Sequence, residues 1–352
     1  MAGSSSSLPN SISTSPSVTS LKYVETDGDQ WEPEFEYESD SNSEITFAVD
    51  GATSSGSSQF SFTYDNGRRY HSDRFKSEYY LPNDEREQDR LDLYHHIFLS
   101  LLGGALYISP LQNPKKILDV GTGTGIWAMD MADEFPQAEV VGTDLSPIQP
   151  PWVPPNCRFE VEDMEEDWPY TPNYFDFIHI RSLSGAFQDW DQVLLNAYSH
   201  LEPGGYIEYQ DYASEVFYHD GTRPPDDDIE KSAFVYYLKV VNDASNKSKR
   251  PMQVAQTMKV RFEKLGLENV KEHRAVWPIG DWPKDPKLKE LGRWGHIGAM
   301  DSIVPFAMGY LTREGWTHEE IAELCTKAKK DIGRGGNKYY CEGWFIYGRK
   351  PN

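Results

Sequence analysis

The chain has 352 residues, with 34 Lys and Arg against 56 Asp and Glu, for a formal charge of −22. That balance excludes broad phosphate-backbone contact, which needs clustered Lys and Arg, and disfavours anionic membrane surfaces. Three Cys, none in a CxxC, exclude a disulfide framework, so a reducing compartment is expected. No run approaches the ~18 apolar residues of a membrane helix, and the first residues have no apolar signal core. An intracellular chain without membrane insertion or direct nucleic-acid contact is expected.

Residues 1–59 read as an acidic, Ser-rich, disordered tail. They hold one basic residue against ten acids, and such a segment cannot bury enough apolar surface to offset its ordering entropy. Trp31, Phe35 and Tyr37 offer anchors by which the same segment could fold onto a partner. A cap is expected over residues 60–110, built on a helix at 83–102. Asn83 or Asp84 suits its N-cap, and Leu91, Tyr94, Phe98 and Leu101 recur at helical spacing. His95 and His96 point ~100° apart on it and make a poor metal pair; no metal site is expected.

From residue 111 strands alternate with helices. Strands are predicted at 116–120, 139–143, 157–161, 175–180 and 205–210, with helices at 126–135 and 190–201. This pattern implies right-handed crossovers and a parallel sheet. Helices follow at 228–241 and 251–265, then a strand at 267–276. A last strand is predicted at 344–349. The chain between these two strands holds a Trp/Pro-rich stretch (277–286) and a helix at 317–330; so long a connection points to function. The domain of residues 111–352 thus carries insertions at about 212–250 and 277–342.

The stretch ILDVGTGTGIWAMDMADEFPQAEVVGTD (117–144) carries the chemistry. An apolar strand leads through Asp119 into Gly121, Thr122, Gly123 and Gly125, then a helix, then a second strand ending in Asp144. Glycines let a ligand lie against bare peptide, and the helix start offers free N–H groups. Asp144 stands ~20 residues beyond the loop, where a carboxylate can accept both ribose hydroxyls. The spacing is GxGxG rather than GxGxxG, which leaves a dinucleotide-dependent oxidoreductase as an outside reading.

With Asp119 before it, this loop resembles that of class I S-adenosylmethionine (SAM) methyltransferases. The resemblance implies an α/β, Rossmann-like, mostly parallel seven-stranded sheet with an antiparallel last strand and helical additions forming a lid. It also implies SAM as cofactor. Asp119 and the glycines would serve its methionine portion, and Asp144 with Leu145 the ribose. Asp163 and Met164, after the third strand, would serve the adenine.

Further blocks extend the likeness: NGRRYHS (66–72), LPNDEREQDRLDL (81–93), GTDLSPIQPPWVPPN (142–156), FDFIHIR (175–181), PGGYIEYQD (203–211) and PIGDWPKDPKLKELG (278–292). They resemble the LaeA-type fungal methyltransferases. That resemblance implies methyl transfer to a small-molecule or protein acceptor, velvet-like regulatory partners, and cytoplasmic or nuclear residence. The alternative is a SAM-binding regulatory subunit with little turnover. Arg181, at the end of the fourth strand, is expected to touch cofactor or substrate. Glu208, Gln210, Asp211, Tyr70, His71, Tyr79, Tyr80 and Trp127 are further candidates near the site, and no catalytic residue is assigned.

Overall fold

The computed structural model describes residues 24–26, 62–333 and 336–352. A short hairpin comes first, β1 (Thr63–Asp65) and β2 (Arg68–Tyr70). Its turn is Asn66-Gly67, both with positive φ, the favoured two-residue hairpin pair. Helix α1 (Glu85–Leu101) starts where the Asp84 carboxylate accepts the Glu87 N–H.

The next elements lie within one residue of their expected ends: β3 (Lys116–Val120), α2 (Ile126–Glu134), β4 (Glu139–Asp144), β5 (Cys157–Val161), β6 (Phe175–Arg181) and α3 (Trp190–His200). Strand β7 (Leu201–Tyr212) is longer than expected, because the Pro203-Gly204-Gly205 turn is an irregularity inside it. Then come β8 (Phe217–Tyr218), α4 (Ala233–Lys247), α5 (Ala255–Leu265) and β9 (Glu268–Ile279). Helix α4 starts five residues after the expected point, since Asp228 instead holds a turn through the N–H groups of Glu230 and Lys231. The chain ends with α6 (Pro286–Leu311), α7 (His318–Ile332) and β10 (Tyr339–Arg349).

The sheet runs β5-β4-β3-β6-β7-β10, with β9 also pairing β10. Strands β3 to β7 are parallel, and β10 is antiparallel to both neighbours. This is the α/β Rossmann-like sheet the resemblance implied, with one correction. A two-residue eighth strand, β8, pairs the start of β10 beyond the end of β7.

Three apolar clusters hold the layers together. One face of the sheet packs α2 through Trp127, Met131, Val140 and Phe177. The other packs α3 and α5 through Ile178, Val193, Met258 and Phe262. The third joins α1, α4, α6 and α7 through Phe98, Val241, Ile303 and Ile321. That cluster sets a helical cap over one end of the sheet.

Within the expected tail, residues 24–26 are fixed: Val24 packs against Trp282 and Tyr340. Its N–H donates to the His219 carbonyl, and the Lys284 N–H donates to that of Glu25. The rest of that segment, including Trp31, Phe35 and Tyr37, lies outside the described residues. Among the described residues, no helix is long and apolar enough to cross a membrane.

Candidate active site

A cavity opens at the carboxyl ends of β3, β4, β5, β6 and β7, with α1 and the cap forming its far wall. Open α/β sheets place ligand crevices at this edge. Gly121, Thr122, Gly123, Asp144, Leu145, Asp163, Met164 and Arg181 all line it. Eight side chains or peptides chosen from separated stretches of sequence therefore meet in one space.

The loop after β3 is held before any ligand arrives. The Thr122 N–H donates to the Thr143 carbonyl at 2.8 Å and the Gly125 N–H to Thr122 at 3.0 Å. The Gln149 side-chain amide donates to the Gly123 carbonyl at 2.7 Å. Gly121 and Gly123 have φ of 65° and 59°, a region that L side chains avoid. A β-carbon on Gly121 would stand 2.6 Å from the Leu183 side chain. The glycines thus leave bare peptide where a side chain would fill the cradle.

The Asp144 carboxylate spans that cradle. It accepts the N–H groups of Gly123 and Ser146, each at 2.9 Å. Burial pushes its pKa up to about 6 despite these bonds, because desolvation disfavours the charged form. Asp163 accepts the Ser77 hydroxyl at 2.9 Å, which ties the segment before α1 across the cavity mouth. Met164 is buried, and its carbonyl accepts the Trp168 indole N–H.

Two expected residues sit apart from the cavity lining. Asp119 is buried beneath the loop, where it accepts the Thr122 hydroxyl at 2.6 Å and bonds His179 Nδ1 at 2.8 Å. Burial lowers the His179 pKa, so a neutral ring donates its Nδ1–H to the carboxylate. His179 also stacks on Trp127 with centroids 3.6 Å apart. Gly125 has φ 82° and starts α2, and a β-carbon there would strike the Phe159 ring at 2.3 Å. Both residues shape the loop from below.

Arg181 reaches the cavity from the end of β6. One of its N–H groups donates to His95 Nδ1 at 2.9 Å, and its guanidinium lies 5.3 Å from the Phe98 ring centre. His95 therefore carries its proton on Nε2 and donates it to Asp130 at 3.0 Å. Burial lowers the His95 pKa and lowers that of Arg181 to about 10. Ser182, next along, has φ 55° and a buried hydroxyl that finds no hydrogen-bond partner among the described residues; it too lines the cavity.

The other candidates divide. His71, Tyr79 and Asp211 line the cavity; Tyr70, Tyr80, Glu208, Gln210 and Trp127 do not. His71 Nδ1 donates to the Ser72 carbonyl and Nε2 accepts the Tyr79 N–H, so both nitrogens serve the segment's own turn. Glu208 is buried, accepting the N–H groups of Ile108 and Ser109 and the Ser109 hydroxyl. It straps the loop before β3 to the sheet. Trp127 is core, with its indole N–H on the Leu106 carbonyl. Asp211, with a pKa pushed up to about 6 by burial, accepts from Ser184 N–H, Tyr209 O–H and Tyr212 N–H.

Sequence reasoning missed what α1 contributes. Glu87 and Arg90 form a buried ion pair at 2.6 Å on the cavity wall. Thr124 donates to Asp92 at 2.6 Å, and Asn83 to Ser146 at 2.9 Å, so α1 is pinned to the glycine loop and the residue before its cap to the turn after β4. A signal was present: Glu87 and Arg90 lie four residues before Leu91 and Tyr94, in line with the apolar stripe, where charges are not expected to face solvent.

A family model described as a methyltransferase domain matches residues 93–272. The chain is 40% identical to methyltransferase pytC of Aspergillus terreus over 302 residues, which is 85% of this chain and 91% of that one. It is 36% identical to the secondary metabolism regulator LAE1 of Cochliobolus heterostrophus, over 71% of this chain and 81% of that one. Against the protein-methionine methyltransferase laeA of Emericella nidulans it is 29% identical, covering 79% and 74%. A solved structure of a Haemonchus contortus phosphoethanolamine N-methyltransferase with S-adenosylhomocysteine aligns at 16% identity and TM-score 0.45, covering 81% of this chain and 62% of that one.

The chain belongs to the class I methyltransferases and, within them, to the LaeA-type group. It is a SAM-dependent methyltransferase, and the bare-peptide cradle facing Asp144 fits that cofactor.

Proposed function

We propose that the cavity holds SAM with the assignments the sequence suggested, adjusted for Asp119 and Gly125. Asp144 accepts the ribose hydroxyls, Leu145 packs beside the sugar, and Asp163 and Met164 receive the adenine. The peptides of Gly121, Thr122 and Gly123 cradle the methionine end, with Arg181 offering its remaining N–H groups to the carboxylate. Asp119 acts through Thr122 and His179 by fixing the loop. One observation carries this reading: the glycine loop, Asp144, Asp163 and Arg181 converge on a single cavity.

Bound there, SAM supplies an electrophilic methyl group whose bonding pair returns to sulfur on transfer. The chain's own work is placement and dryness. Helix α1, Tyr79 and Phe306 wall the cavity on the side away from the sheet. Asp211 has its oxygens occupied by three donors, so it holds the β6 and β7 loops in register rather than drawing a proton from the acceptor.

We further propose a role in secondary metabolism, which the names of its relatives support. A velvet-like partner is part of the same proposal, on resemblance alone. Calorimetric titration with SAM tests the site. The expected result is saturable binding that Asp144→Ala weakens by about a hundredfold, since two charge-assisted hydrogen bonds are lost. Labelled-methyl transfer to cell extract then tests turnover. Absence of SAM binding sinks the assignment; binding without any labelled acceptor favours the regulatory-subunit reading.

A further inference from the structure

Beside the cofactor cavity lies a second chamber with different chemistry, set in the cap between α4, α6 and the end of β9. Tyr94, Tyr212, Ser214, Met252 and Phe306 line both spaces, so the two adjoin through a shared wall. Among the described residues, no Asp, Glu, Lys, Arg or His lines the second chamber. Its hydroxyls are largely engaged already. Tyr237 donates to the Ile303 carbonyl at 2.8 Å, Ser302 to the Gly298 carbonyl at 2.7 Å, and the Tyr94 hydroxyl meets Ser302 at 3.0 Å.

A charged group or a peptide backbone entering there would lose its hydration without gaining partners, at a cost of several kcal/mol. Aromatic rings suit this lining instead. Trp277 stands edge-on to Tyr94 and Tyr212, with centroids 5.5 and 5.3 Å apart, and Phe234 and Tyr237 stack at 6.0 Å. Further aromatic groups can join such an array in the same edge-to-face geometry.

We propose that this chamber binds the body of the methyl acceptor, and that the acceptor is a neutral, mostly apolar small molecule carrying at least one aromatic ring. Its nucleophilic atom lies toward the shared wall, facing the cofactor cavity. The proposal rests on the reading of that first cavity as the SAM site, and its test separates the two.

The probe is 2-naphthol, titrated calorimetrically into the full chain. The expected result is one saturable site. Ala299→Phe on α6 and Val241→Phe on α4 fill the chamber from opposite walls, and each is expected to weaken 2-naphthol at least tenfold while SAM affinity stays within twofold. Naphthalene-1-sulfonate keeps the rings but adds a charge, and is expected to bind the unaltered chain at least tenfold more weakly. Failure of 2-naphthol to bind overturns the proposal, as does equal binding of the sulfonate or undiminished binding by both filled variants. Failure of SAM to bind the unaltered chain overturns the cofactor reading instead.

Discussion

The two walls of the cofactor cavity arise from opposite kinds of sequence. The sheet-side wall is written locally: an apolar strand, glycines, a helix and an acid follow one another in 28 consecutive residues, 117–144. The cap-side wall is assembled from α1 and α6, whose contacts join residues about two hundred positions apart. Arg90 and Tyr94, for instance, both reach Ser302. Local conformation follows from short-range sterics, whereas close packing of distant segments leaves only indirect marks. The cap is where those marks mislead.

Helix α6 shows why. Its 26 residues include Gly292, Gly295, Gly298 and Pro305, which read as helix breakers. Asp285 followed by Pro286 is a sound N-cap and first-turn signal, and the Asp285 side chain does accept the N–H groups of Lys287 and Leu288. Gly292 and Gly295 make sense only against the end of β9, and Gly298 only against Tyr94 of α1. A β-carbon on Gly292 would stand 2.0 Å from the Gly280 carbonyl oxygen, and one on Gly295 would stand 2.3 Å from that of Pro278.

The sharpest way to break the sheet-side wall is His179→Ala. The change removes the bond to Asp119 and the stack on Trp127, and leaves a cavity beside a buried carboxylate. A loss of roughly 3–4 kcal/mol is expected from the lost charged hydrogen bond and the void together. Urea unfolding measures it, and a change within 1 kcal/mol would contradict the placement of Asp119 beneath the loop.

Gly292→Ala breaks the cap-side wall and reverses a sign. Intrinsic propensity favours Ala over Gly in a helix by about 1 kcal/mol. The approach to the Gly280 backbone predicts instead a net loss of about 2 kcal/mol, because backbone cannot swing aside. A stabilised variant would mean that α6 and β9 do not pack as described.

Legibility in the sequence follows the same divide. Strands β3 and β5 could be placed to the residue: the apolar run of β3 ends in Gly121, and the apolar–polar alternation of β5 begins directly after Pro154-Pro155-Asn156. The glycine loop and Asp144 were legible as a pair because one βαβ unit fixes their separation. Asp119 was legible as important but not in its direction: nothing near it in sequence announces His179, its partner across the β3–β6 pairing. Ser182 and His95 were invisible as site residues, since an orphan hydroxyl and a relayed hydrogen bond exist only once β6 meets α1.

Protonation of Asp144 sharpens the comparison, because the two readouts of that one group move in opposite directions. Burial raises its pKa from the ordinary 3.8 to about 6. A raised carboxyl pKa contributes stability that is full below the unfolded value and is lost as pH rises through the folded one. The unfolding free energy of the parent chain minus that of Asp144→Asn should therefore decline between pH 4 and pH 6. SAM affinity should do the reverse. Below about pH 6 the carboxyl gains a proton while still facing the N–H groups of Gly123 and Ser146, so it accepts ligand hydroxyls less well. Affinity is expected to fall about fivefold from pH 6 to pH 5, as the ionised share of a group with a pKa of about 6 declines. No Asp, Glu, Lys, Arg or His stands among the described residues lining the 2-naphthol chamber, so its affinity should stay level over the same range. Parallel titrations of the two ligands across pH 5 to 7 would then separate the cofactor cavity, governed by Asp144, from the chamber beside it, which no charged side chain lines among the described residues. A shared slope for both would place Asp144 outside control of the cofactor cavity.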